Sequence, residues 1–268
     1  MSTALPVPDA PVVSVAEAIA RMQAIAAALP PADGLACFNH MYLDVTQQVN
    51  SQLGQGFFAD PAFMTHLSVA FANLYFAVAD SAADLATVPL AWRPLVERRA
   101  VTGIEPVQFA LAGMNVHINH DLPVAMVSTC TALATSPYAA PHFADYQKTD
   151  RMLDANEQSI RRSFEPMAPS PETALHFADH QKVDQLLDAT EQSIRQSFES
   201  IPELAVDHHL SAVANLTDNW TTNSARDLAW KNCLLLWAVR DDPVARGLFL
   251  DTLATSTALA SRTLLVAV

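Results

Sequence analysis

Residues 106–133 read PVQFALAGMNVHINHDLPVAMVSTCTAL, and the fold class turns on how this stretch is taken. Its length, its nearly continuous apolar character and its Ala, Leu and Met content predict a buried helix at the centre of an all-α protein. On such a helix His117 and Asp121 lie four residues apart and share a face, with His120 one step round from both. Three ionisable groups within five residues are costly to bury without use, which suits metal ligation or a His/carboxylate acid–base pair. The same residues also have a plain structural reading, in which a buried His and Asp bond each other and hold helices together. Pro123 lacks the N–H that would reach the carbonyl of Asn119, so a kink is predicted there.

Outward from this stretch the composition agrees with helices. Hydrophobic residues make up 51% of the 268-residue chain and there are only 6 glycines, too few for a fold rich in hairpin turns. The length predicts one large domain, a single-domain bundle of about eight or nine helices over 14–268, preceded by an extended proline-rich segment at 1–13. A formal net charge of −13 opposes phosphate backbones, which argues against a nucleic-acid partner. Cys37, Cys130 and Cys233 are widely spaced among apolar residues and read as reduced core thiols. The N-terminus has no basic region followed by an apolar core, and no run of 18 uninterrupted apolar residues occurs; a cytoplasmic protein with no membrane partner is expected.

Helix signals punctuate the chain. Ser14 with Glu17 forms a capping box for a helix over about 14–29, and Pro30, Pro31 and Gly34 separate it from a second over about 36–53. Asp60 before Pro61 opens a third, to about residue 84, along which His66, Asn73 and Asp80 form a polar line that reads as a solvated face. A short amphipathic helix over 92–101 would turn Arg93, Glu97, Arg98 and Arg99 to water. Further helices are expected over about 203–217, from Thr222 or Asn223 to about Arg240, and from Asp242 and Pro243 onward. In between, HFADYQKTDRMLDANEQSIRRSFE at 142–165 returns 34 residues later as HFADHQKVDQLLDATEQSIRQSFE at 176–199, identical at 18 of 24 positions. This is a tandem duplication of one helix and its linker. Two copies are too few for a solenoid.

Each copy opens with HxxD: His142 with Asp145, and His176 with Asp179, the second adding His180 on the same face. Imidazole nitrogens and carboxylate oxygens suit zinc, manganese or iron. Two helices each giving a His and an Asp could enclose a divalent ion, with His40 and Asp44 on a third. The fingerprints of dinucleotide, P-loop and hydrolase-elbow sites are absent.

FNHMYLDVT (38–46), DPAFMTHLSVAFANLYFAVA (60–79), GMNVHINHDLP (113–123) and a later HxxD helix together resemble an uncharacterised family of helical proteins found mainly in actinobacteria and known as a domain of unknown function. The resemblance implies the helical fold, draws attention to His117, Asn119 and Asp121, and implies no reaction. It also implies one HxxD helix where this chain has two. A weaker likeness joins His117 and Asp121 to the ligand helix of zinc-dependent phospholipase C and the P1-type nucleases. Where those proteins continue with a further His, this chain has Val127 or Ser128, and it lacks their N-terminal Trp ligand.

The residues therefore predict an enzyme acting on a small organic substrate in a pocket between helices, of hydrolase, lyase or cyclase type. His40, Asp44, His117, Asp121, His142, Asp145, His176, Asp179 and His180 are the candidate ligands of a divalent metal, and His120 is the candidate proton-transfer group. The alternative is a helical protein that binds a small molecule or partner without catalysis, its His/Asp pairs being structural.

Overall fold

Aspartate and serine side chains set where the helices begin. Ser14 accepts the Glu17 N–H, Asp33 the Leu35 N–H, Asp60 the Phe63 N–H, and Asp242 those of Val244 and Ala245. Pro61, Pro106 and Pro243 occupy first turns, where a missing N–H costs nothing. The computed structural model describes residues 10–149 and 222–267. Among these it has α1 (Val15–Ala28), α2 (Gly34–Leu53), α3 (Pro61–Ser81), a 3₁₀ turn (Leu90–Trp92), α4 (Arg93–Arg98), α5 (Pro106–Val116), a π turn (His117–Asp121) and α6 (Leu122–Ala132). Helical backbone follows over 142–149. The last helices are α7 (Thr222–Ala238) and α8 (Pro243–Leu264). There is no strand among the described residues, and the fold is all-α. The copy at 176–199 and the helix expected over 203–217 lie outside the described residues.

The stretch expected as one central helix is α5, the π turn and α6 in succession. α5 belongs to a core built with α1, α2, the second half of α3, the α4 region and the end of α8, and it contributes Phe109, Ala112 and Val116. α6 belongs to a second core with the start of α3, Tyr146 and α7, through Leu122, Ala125, Met126 and Cys130. α3 is long and apolar enough to cross a membrane by length and composition, yet it divides its buried residues between these two cores.

α2 and α5 approach closely through an exchange of glycine and phenylalanine. A Cβ built on Gly34 would stand 2.6 Å from Phe109 Cδ1, and one on Gly113 would stand 2.5 Å from Phe38 Cγ. Gly34 and Phe38 are four residues apart on one helix, Phe109 and Gly113 four apart on the other, so each ring fills the notch opposite. Side-chain amides add bonds to backbone. Asn39 donates to Met22 O at 2.9 Å, Gln108 to Leu264 O at 2.8 Å and Val266 O at 3.0 Å, and Asn115 to Thr257 O at 3.2 Å.

Two sequence expectations about polar faces are corrected. Of the line on α3 only His66 is exposed. Asn73 pairs with both the N–H and the carbonyl of Val12, at 2.9 Å each, and Asp80 forms an ion pair with Arg21 of α1 at 2.5 Å. The arginines after Trp92 do not simply face water either: Arg93 donates to Val88 O, Arg98 to Leu265 O, and Arg99 pairs with Asp33 at 2.7 Å. A seven-residue polar spacing fixes a common face and leaves open what that face meets.

The glycine–phenylalanine exchange predicts that Gly113→Ala is destabilising. Its new methyl meets the root of the Phe38 ring, which neighbouring rings hold in place. The expected net loss in urea unfolding is about 1–3 kcal/mol, against the usual gain for Gly→Ala in a helix. Gly54→Ala, where a Cβ meets nothing within 4 Å, should stay within about 0.5 kcal/mol of the parent. Equal behaviour of the two variants would refute the close approach.

Candidate active site at the π turn

The irregularity expected at Pro123 takes the form of a wide turn just before it. The Leu122 N–H reaches back five residues to His117 O, the π pattern that inserts one extra residue into a helix. Widening here relieves the clash between a proline ring and the carbonyl four residues earlier. It also places His117, His120 and Asp121 within a single turn.

Asp121 is the centre of this turn. Its Oδ2 accepts from His117 Nδ1 and from the Trp92 indole Nε1–H, each at 2.9 Å, and its Oδ1 accepts from His120 Nδ1 at 2.7 Å. The residue is 3% exposed. Burial alone would raise its pKa, but the hydrogen bonds it accepts from His117 and His120 outweigh that and hold the carboxyl below its ordinary value. An ionised carboxylate only accepts, so His117 carries its proton on Nδ1 and presents a bare lone pair at Nε2. Burial also lowers the His117 pKa, against the pull of Asp121, so the imidazole is neutral.

Aromatic rings enclose that imidazole. Phe71 stacks on it with centroids 3.5 Å apart and planes at 8°, Tyr42 meets it edge-on at 4.5 Å, and Phe38 and Trp92 stand at 5.4 and 6.0 Å. Burial first, then the charge of Asp121, raises the Tyr42 phenol, which stays protonated. Within this box His117 Nε2 is buried and has no hydrogen-bond partner. Tyr42 and Phe71 are also walls of a cleft of about 70 Å³ that Val49, Met64, Leu67 and Leu122 line, with Thr46, Ser68, Thr149 and Arg226 among its polar groups.

The other candidate ligands go elsewhere. His40 is exposed and Asp44 half-buried; both lie on the side of α2 opposite Phe38 and Tyr42, which face His117. His142 stacks on Phe63 at 3.7 Å, donates from Nδ1 to Ser136 O at 3.0 Å, and sets Nε2 3.4 Å from Asp60. Asp145 accepts from the backbone N–H groups of Ala59 and Asp60 at 3.0 and 2.7 Å and from Lys148 at 2.7 Å. Burial works to raise its pKa, and these bonds outweigh it and lower it. This pair fastens the entrance of α3 and does not join His117 and Asp121. His176, Asp179 and His180 lie outside the described residues.

Among the described residues a divalent ion is poorly matched. No group of three or more His, Cys, Asp or Glu side chains among the described residues is arranged to hold one. Both Asp121 oxygens already face N–H groups, leaving His117 Nε2 as one bare donor in an apolar box. Trp92, Tyr42 and Phe71 complete the site and were not read from the sequence as members of it. The one signal for Trp92 is that a buried indole N–H needs an acceptor.

The pattern of the Family of unknown function (DUF5995) matches residues 15–177 and 165–267, two stretches whose overlap, 165–177, spans the linker between the copies of the duplicated helix and touches the end of one and the start of the other. No curated protein and no solved structure matches the chain.

The buried neutral imidazole makes stability depend on pH. The folded protein keeps His117 unprotonated below the ordinary histidine value of 6.5, where the unfolded chain takes up a proton. Stability is thus full above that value and falls with pH through it, by up to about 1.4 kcal/mol per pH unit until the folded site also protonates. Asp121, with its depressed pKa, loses its contribution only at more acid pH. Urea unfolding at pH 7.5 and 5.5 should show a smaller loss for His117→Gln than for the parent; parallel losses would refute the assignment.

Proposed function

The chain belongs to this family of unknown function, and we propose that it is an enzyme that uses His117 as a general base, oriented by Asp121, on a small organic substrate. The observation that carries this reading is the unpartnered, buried Nε2 of His117, behind a cleft wall, on a ring whose other nitrogen is bonded to a carboxylate. A buried polar atom without a partner is costly to keep. A base that must meet a substrate proton needs such an atom.

In this mechanism a substrate O–H, N–H or acidic C–H gives its proton to Nε2, its bond electrons remaining on the substrate atom as a nucleophile or carbanion. The imidazolium so formed is stabilised by the Asp121 carboxylate and returns the proton to the leaving or product atom. Hydrolase, lyase and cyclase chemistry all use this step. His120, 17% exposed at its side chain and bonded to the other carboxylate oxygen, acts as a positioning residue for Asp121, together with Trp92. A structural reading has its own support: three N–H donors on one buried carboxylate tie the 3₁₀ turn to the π turn whether or not a substrate is present.

The two readings part in one experiment. Purified protein is incubated with a small-molecule cell extract and the mixture is followed by mass spectrometry. The enzyme reading expects a compound consumed by the parent and at least about a hundredfold more slowly by His117→Gln, the scale of a lost general base. The absence of turnover by the parent, or equal turnover by the variant, would leave the dyad as a structural tie.

A further inference from the structure

His117 is closed off from the cleft by side chains that belong to both. Phe71 covers its face at 3.5 Å and Tyr42 its edge at 4.5 Å, and the same two residues line the cleft. Phe71 is half-buried, whereas His117 is 2% exposed. As it stands, the cleft of about 70 Å³ has room for a few waters and is smaller than the cavities that take an aromatic ring. A rotation of the Phe71 side chain would join it to the space over the imidazole. The cleft wall is mostly apolar, through Val45, Val49, Met64, Leu67 and Leu122, with Thr46, Gln48, Ser68, Thr149 and Arg226 as its polar members.

The chemistry of the lone pair then selects what can enter. Nδ1–H is given to Asp121, so Nε2 can only accept. An acceptor cannot reward an entering carbonyl, ether or carboxylate oxygen, and the Arg226 guanidinium in the wall donates to Tyr146 O and Thr149 Oγ1. Resting on the general-base reading above, we infer that Phe71 is the gate of this site and that its ligand is a small, largely apolar molecule bearing one O–H or N–H, of the phenol or azole class, whose body takes space that the Phe71 ring vacates and whose donor lies in the imidazole plane, on the Nε2 lone pair.

Phenol and fluorobenzene, alike in size and differing in the donor, test this by titration into full-length protein with ¹⁵N-labelled histidine, reading the His117 ring nitrogens by NMR. Phenol should shift Nε2 saturably and bind about tenfold more tightly than fluorobenzene, the factor expected when a buried unpaired acceptor gains a partner. Phe71→Ala should bind phenol about tenfold more tightly than the parent, since no ring has to be displaced. If that variant does not fold, Phe71→Leu, which keeps the wall apolar and removes the stack, carries the same expectation. Equal binding of the two probes, no phenol effect at Nε2, or unchanged affinity in the Phe71 variant would each overturn the inference. Protein that binds phenol at Nε2 but consumes nothing from the extract overturns the enzyme reading alone. Protein that turns over a compound and ignores phenol overturns the ligand class alone.

Discussion

A single buried carboxylate, Asp121, organises the middle of this molecule. Left alone in an apolar interior an ionised side chain would be prohibitively costly. Three N–H groups from Trp92, His117 and His120 remove that cost, and in doing so they fix the 3₁₀ turn against the π turn, choose the tautomer of His117 and aim its free nitrogen. Replacing any donor leaves part of a buried charge uncompensated, so the geometry is held more firmly than three ordinary hydrogen bonds would suggest.

The aromatic box around His117 depends in turn on how near α2 comes to α5. Phe38 fits the notch at Gly113, and the same ring stands against Tyr42, Tyr75, Trp92 and His117. Backbone proximity at two glycines thus becomes ring placement one helical turn further along. The caps at Ser14, Asp33, Asp60 and Asp242 set the starts of the helices and leave the site to this packing.

Much of this could be read in the chain and some could not, for identifiable reasons. Capping residues and first-turn prolines act within a few residues, so Ser14, Asp60 with Pro61 and Asp242 with Pro243 marked their helices. The His117–Asp121 contact is likewise local, four residues on one helix. Trp92 reaches Asp121 across 29 positions, and no periodicity records such a contact. HxxD misled because its spacing fixes a shared face and not a partner: at 142–145 the partners are a phenyl ring and two backbone N–H groups. Asn73 and Asp80 misled in the same way, since an amide or carboxylate on a helix face reads alike whether it meets water or another segment.

The π turn has a consequence for which sequence changes this region can absorb. Before it, the inward residues of α5 serve one core; after it, those of α6 serve the other. A π turn carries one residue more than an α turn over nearly the same rotation, so removing one residue between His117 and Asp121 would restore ordinary winding and leave Leu122, Ala125 and Met126 close to the face that α7 packs against. What such a removal would undo is the arrangement of His117, His120 and Asp121 within the turn. The straight parts of α5 and α6 have no such slack: a residue lost there would rotate all that follows by about 100° and misalign an entire core.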